Sequence, residues 1–180
     1  FGLNLTIGLT QESRREADMA LIKEFEVPVL ITSYGNPTEY VQRARESGTI
    51  VFHDVINLQH AKKAESAGVD AVIGVSAGAG GHAGRVSPYV LIPYLREHLS
   101  VPIIAAGCIS TGEQIAASLA LGAELAYMGT RFIASAECQA EEVYKQLVVD
   151  AVPEDIVYTD EVSGTHANFF KQTLPNHPDF

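Results

Sequence analysis

Short apolar runs alternate along this chain with longer amphipathic stretches. The runs Asn4–Leu9, Val27–Ser33, Thr49–Val55, Ala71–Ser76, Val101–Ala106 and Leu125–Gly129 are rich in Val, Ile or Leu and too short for helices. Continuous apolar runs of this kind predict strands of a parallel sheet buried on both faces. Between them the pattern predicts helices over Glu12–Phe25, Pro37–Ser47, Leu58–Ala67, Pro88–Leu99, Thr111–Leu121 and Glu137–Ala151. Asn36-Pro37-Thr38-Glu39 and Ser110-Thr111-Gly112-Glu113 read as helix starts with capping boxes, and Gly48, Gly68 and Gly122 as left-handed stops.

Strand starts recur about every 21 to 31 residues, the spacing of a βα repeat with right-handed crossovers. Either a doubly wound sheet or a (β/α)8 barrel fits. Six strands are too few for a closed eight-stranded barrel, which usually needs about 250 residues. The sequence opens on strand-like residues without a methionine, so Phe1 reads as an internal start with strands 1 and 2 missing. The fold expected is therefore α/β, a TIM barrel represented by strands 3–8. Residues 1–152 form its barrel part, and 153–180 an irregular C-terminal tail or lid.

Composition narrows the function classes. The chain has 180 residues, 47% hydrophobic and 19% charged, enough for a globular core. Its net charge is −10 and its 12 Lys and Arg are scattered, which argues against a nucleic-acid surface. Cys108 and Cys138 lack metal-ligand or disulfide spacing, and no apolar run is long enough to cross a membrane. A cytoplasmic protein without a metal site is the expectation.

In parallel sheets chemistry collects at the carboxyl ends of strands. Those ends carry Ser33-Tyr34-Gly35-Asn36, Phe52-His53-Asp54, Ser76 to His82, Gly107-Cys108-Ile109-Ser110 and Gly129-Thr130-Arg131. The segment AGAGGHAG, Ala77 to Gly84, surrounds His82 with four glycines and three alanines. Glycine loses more backbone entropy on ordering than any other residue. Such a stretch therefore makes sense where a planar or phosphorylated ligand must approach the backbone. It does not match the dinucleotide-binding fingerprint cleanly. Imidazole titrates near neutrality and suits His82 to take a proton from a weak carbon acid. If the last two strands are strands 7 and 8 of a barrel, Gly107-Cys108 and Gly129-Thr130 occupy its usual phosphate loops.

These residues, with VPIIAAGCIS, LALGAELAYMGTRFIAS, the opening FGLNL and AKKAESAGVDAVI, resemble the nitronate monooxygenase family. That group of flavin-dependent (β/α)8 enzymes includes the flavin-type enoyl-acyl carrier protein reductases. The resemblance covers nearly all of Phe1–Glu137, and DIVYTDEVSGTHANFF is similar to a subgroup of flavin oxidoreductases. It implies FMN as cofactor, with Asn4 touching the flavin and the Gly80-Gly81 backbone near its ring. Gly107, Cys108, Met128, Gly129 and Thr130 would hold the phosphate end. His82 would be the catalytic base that removes the proton beside a nitro group. The partners implied are a nitronate or related carbon acid and O2, with NAD(P)H as an alternative reductant; a homodimer stays open. The chain departs from the family pattern at Cys108, where many members have Gly. It does so too at Asp54, where some have Lys, and at Val75, where many have Gln. The family's N-terminal flavin loop, rich in Pro and Met, is not in this sequence.

Competing readings are an NAD(P)H-dependent reductase of an enoyl thioester or quinone, and a flavin-free barrel whose glycine loops bind a phosphosugar. Duller roles are expected elsewhere. Cys108 packs, His53 and Asp54 serve structure as readily as function, and Arg131 either binds phosphate or bridges the rim. His60 and His98 are solvated, His166 and Asn168 either close over the substrate or are incidental residues of a mobile tail, and Phe169-Phe170 dock that tail on the barrel.

Overall fold

The structure, a computed structural model, describes residues 1–174 of the chain. It begins with β1 (Gly2–Thr6), α1 (Glu12–Glu24), β2 (Val29–Ser33), α2 (Thr38–Glu46), β3 (Ile50–Val55) and α3 (Leu58–Ala67). There follow β4 (Ala71–Val75), the two-residue β5 (Gly81–His82), α4 (Pro88–His98), β6 (Ile103–Ala106), α5 (Gly112–Ala120) and β7 (Leu125–Tyr127). The chain continues with α6 (Thr130–Ile133), α7 (Glu142–Asp150), β8 (Ile156–Thr159) and β9 (Ala167–Phe170).

Six strands make one parallel sheet in the order β1-β2-β3-β4-β6-β7. The order follows the chain with no reversal, whereas a doubly wound sheet reverses at its switch point. The architecture is that of a partial (β/α)8 barrel. Period-two alternation splits the core across the sheet. Leu5, Leu30, Val51, Val55, Val72, Ile103 and Ala105 pack with helix residues such as Ile22, Val41, Ile92 and Leu95. Their neighbours Ile31, Phe52, Ala71, Ile73, Val75, Ile104 and Ala106 form a second cluster on the barrel-interior face.

At the amino ends of two strands, carboxylates hold backbone amides that the sheet leaves free. Val51 N–H donates to Asp70 Oδ2 at 2.7 Å and Ile103 N–H to Glu124 Oε2 at 2.7 Å. The carboxyl ends are left to glycine turns and polar residues.

Several elements differ from the sequence reading. The capping box of α5 lies one residue on: Gln114 N–H donates to Thr111 Oγ1, and Gln114 Oε1 accepts from Thr111 N–H at 3.0 Å. Gln fills the reciprocal position as well as Glu does. The stretch Glu137–Ala151 becomes helical only at Glu142, and the short α6 lies where no helix is predicted. The tail, expected to be irregular, instead forms two strands over its described part; residues 175–180 of that expectation lie outside the described residues. β8 pairs antiparallel with β9, and β9 pairs antiparallel with β5. The edge offered by β5 gives this segment hydrogen-bond partners that no local pattern reveals. Phe170 is buried, its ring set edge-on to Tyr144 of α7 at 6.0 Å between centroids, so the tail docks by this residue. No helix among the described residues is long and apolar enough to cross a membrane.

Candidate functional site

The glycine segment leaves β4 at the carboxyl rim and is closed at its base by Ala77 N–H to Val86 O at 2.8 Å. Its small residues are required by what lies against them. Gly78 has φ +82°, and a Cβ there would collide with Cys108 Sγ; a Cβ at Gly80 would collide with Thr130 Oγ1. Cys108 itself sits at φ +58° and its thiol donates to Ala77 O at 3.3 Å. The turns after β4, β6 and β7 are therefore one packed unit, assembled from three separate stretches of sequence.

A cleft of 1580 Å³ adjoins this unit, bounded by Asn4, Tyr34, Asp54, Gly80, Gly81 and His82 among others. The β8–β9 hairpin forms part of its wall through Tyr158, Thr165 and His166. Hydrogen bonds tie the hairpin to the glycine segment at both ends. Asn168 Nδ2 donates to Ala79 O at 2.7 Å, and the Tyr158 hydroxyl donates to Ala83 O at 3.2 Å.

His82 is half-buried between these elements. Its Nε2 lies 3.3 Å from Ser163 Oγ, and that hydroxyl donates to Thr165 O at 3.1 Å. With the Ser163 proton committed to the carbonyl, Nε2 carries the imidazole proton and Nδ1 keeps its lone pair. The Tyr34 ring meets the imidazole edge-on at 5.1 Å between centroids.

The other titratable groups have different environments. His53 is buried on the helix-facing side, with Nδ1 2.8 Å from Thr32 Oγ1. Burial, and secondly the charge of His60, push its pKa down to about 4, so it is neutral at ordinary pH. Asp54 alternates with it onto the interior face, in register with Ile73 of β4. Burial pushes its carboxyl up to about 7, and Oδ1 is buried with no hydrogen-bond partner. The Tyr127 phenol is raised by burial and then by the Asp54 charge.

The sequence-predicted residues thus divide into two groups. Asn4, Gly80, Gly81 and His82 line the cleft. Gly107, Cys108 and Thr130 pack against the glycine segment, while Met128 and Gly129 occupy the link between β7 and α6; none of the five is among the residues that line the cleft. His60 is exposed at the cleft margin, and His98 is exposed with Nδ1 2.8 Å from Tyr94 O. Asn168 is not incidental, since it holds the Ala79 carbonyl. Ser163, Thr165 and Tyr158 escaped the sequence reading. No spacing rule links them to His82; only the similarity of the DIVYTDEVSGTHANFF stretch hinted at them.

The family model for nitronate monooxygenase matches residues 3–174. A nitronate monooxygenase of Paraburkholderia phytofirmans is 33% identical over 161 residues, covering 82% of this chain and 44% of the relative. Among solved structures, FabK from Thermotoga maritima is 38% identical with a TM-score of 0.87, over 95% of this chain and 54% of that one. Nitroalkane oxidase from Streptomyces ansochromogenes is 27% identical with a TM-score of 0.85, over 94% and 61% respectively. The chain spans about half the length of the curated relatives it matches. On its barrel strands, its glycine turns and this match over most of its length, the chain belongs to the nitronate monooxygenase family.

Proposed function

We propose that the complete protein is an FMN-dependent oxidoreductase that oxidises a nitronate or nitroalkane with O2, with His82 as general base. The observation that carries this reading is the position of His82 beside side-chain-free backbone in a cleft that Asn4 also lines. The residues present fit a flavin. A Cβ at Gly81 or at Gly129 would meet nothing within 4 Å, so the main chain is bare where a planar ring and a phosphate need to approach. Asn4, Gly80 and Gly81 would lie along the ring, and Gly107, Cys108, Met128, Gly129 and Thr130 toward the phosphate end.

When bound, FMN supplies a two-electron acceptor that O2 can reoxidise. The chain's own residues manage the proton. Nδ1 of His82 takes it from the carbon beside the nitro group, and the C–H electron pair passes onto the nitro oxygens, giving the nitronate. Ser163 accepts from Nε2–H and keeps the imidazole in the tautomer that leaves Nδ1 free. Tyr34 fixes the ring plane from its edge. The hairpin closes one wall of the cleft and limits access of water.

The test uses the purified full-length protein. A flavin absorbance spectrum and oxygen uptake on adding a nitroalkane are expected. His82→Asn is expected to keep FMN but lose about 10²–10⁴-fold in turnover of the neutral nitroalkane. Preformed nitronate, which needs no base, is expected to lose far less. A colourless protein that refuses FMN overturns the reading, as does unchanged nitroalkane turnover in the variant. NADH oxidation driven by an enoyl thioester, without nitronate oxidation, would assign the cleft to a flavin reductase instead.

A further inference from the structure

Asp54 is the one carboxyl that the proton chemistry above leaves unused although it bounds the same cleft. It follows Phe52 on the interior face of β3, in register with Ile73 of β4, where the cluster contains Val75, Ile104 and Ala106. No basic side chain among the described residues lies within ion-pair distance of it. Its Oδ1 is shut away from solvent without a donor. A carboxylate would be poorly solvated there, so the neutral acid is the favoured form up to the neutral range, and its single proton needs an acceptor.

We propose that Asp54 is a ligand-binding residue: a neutral carboxylic acid in the barrel interior that donates a hydrogen bond to an acceptor oxygen or nitrogen of the flavin in the cleft. This inference rests on the flavin reading. It makes binding dependent on the proton that Asp54 carries, so affinity falls as that proton is lost. The pKa of about 7 puts the loss in the neutral range. Other ionisable side chains share the cleft: Tyr34 beyond β2, His82 of β5, Tyr158 and His166 of the hairpin, and His53, His60, Lys62 and Lys63 toward α3. Tyr127 on β7 feels the Asp54 charge directly. The FMN phosphate titrates near pH ~6 as well. A comparison with Asp54→Asn cancels all of these, because the asparagine amide keeps an N–H donor at every pH.

The experiment measures the Kd of FMN for the full-length apoprotein by fluorescence quenching, from pH ~5 to ~9, for the native protein, Asp54→Asn and Asp54→Leu. The native Kd divided by that of Asp54→Asn is expected to stay constant in acid and then rise by up to about tenfold per pH unit above the Asp54 pKa. The Asp54→Leu variant is expected to bind more weakly than the native protein in acid and to show no such rise. A ratio independent of pH, or one that falls with pH because the carboxylate accepts from the ligand, overturns the inference while leaving the flavin reading intact. Failure of all three proteins to bind FMN overturns both.

Discussion

Replacing Gly78 with alanine tests whether the turns after β4 and β6 meet as described. Two costs are expected. At φ +82° an L-residue is in the left-handed region, worth about 1–2 kcal/mol. The new Cβ also collides with Cys108 Sγ. Overpacking of this kind typically costs about 1–3 kcal/mol, so Gly78→Ala is expected to destabilise by roughly 2–5 kcal/mol. The two terms separate in a double-mutant cycle. The Cβ of Cys108 lies 4.0 Å from the position the new methyl would take, an ordinary contact. Cys108→Ala therefore removes the collision and leaves only the backbone cost. Alone, it loses only a weak S–H···O contact at 3.3 Å. Urea unfolding of the native full-length protein, both single variants and the double variant gives the coupling from midpoint shifts at constant m-value. The double variant is expected to recover about 1–3 kcal/mol of the Gly78→Ala loss. If it recovers none, the two turns do not touch, and the packed unit of turns is wrong.

Two further outcomes probe the hairpin. Asn168→Ala strips the Ala79 carbonyl of its side-chain donor, an expected cost of about 1–3 kcal/mol where that carbonyl stays dry. Faster hydrogen exchange confined to the amides of residues 77–84 would show it, and unchanged exchange there would refute it. Ser163→Ala removes the acceptor for His82 Nε2–H, so the nitrogen-15 shifts of His82 are expected to move from one tautomer toward a mixture, while Tyr34 still meets the ring. An unchanged tautomer would mean that another group sets it.

Much of the frame was legible in the sequence because its causes are local. Runs such as Val27–Ser33 and Ala71–Ser76 announce buried parallel strands by composition alone, and the left-handed Gly48, Gly68 and Gly122 mark helix ends by a backbone conformation other residues resist. The glycine segment around His82 stood out because its composition has no purpose in an ordinary strand or helix. Counting barrel strands singles out the turns after β6 and β7, but no count reveals that Cys108 and Thr130 also pack against Gly78 and Gly80 of the glycine segment.

The sequence by itself determined the alternation of strand and helix, the glycine stops of several helices and the clustering of small residues at one rim, since each depends on neighbours a few residues away. Only the tertiary structure decided which distant residues meet. β9 comes to β5, Ser163 reaches His82 across 81 positions, and Asn168 reaches Ala79 across 89. It also decided that His53 and Asp54, adjacent in the chain, look to opposite faces of the sheet, one neutral against the helices and one an acid inside the barrel. Contacts of that span follow from curving the sheet around a shared interior, and the solvation that sets a proton's affinity comes from whatever that curvature brings alongside.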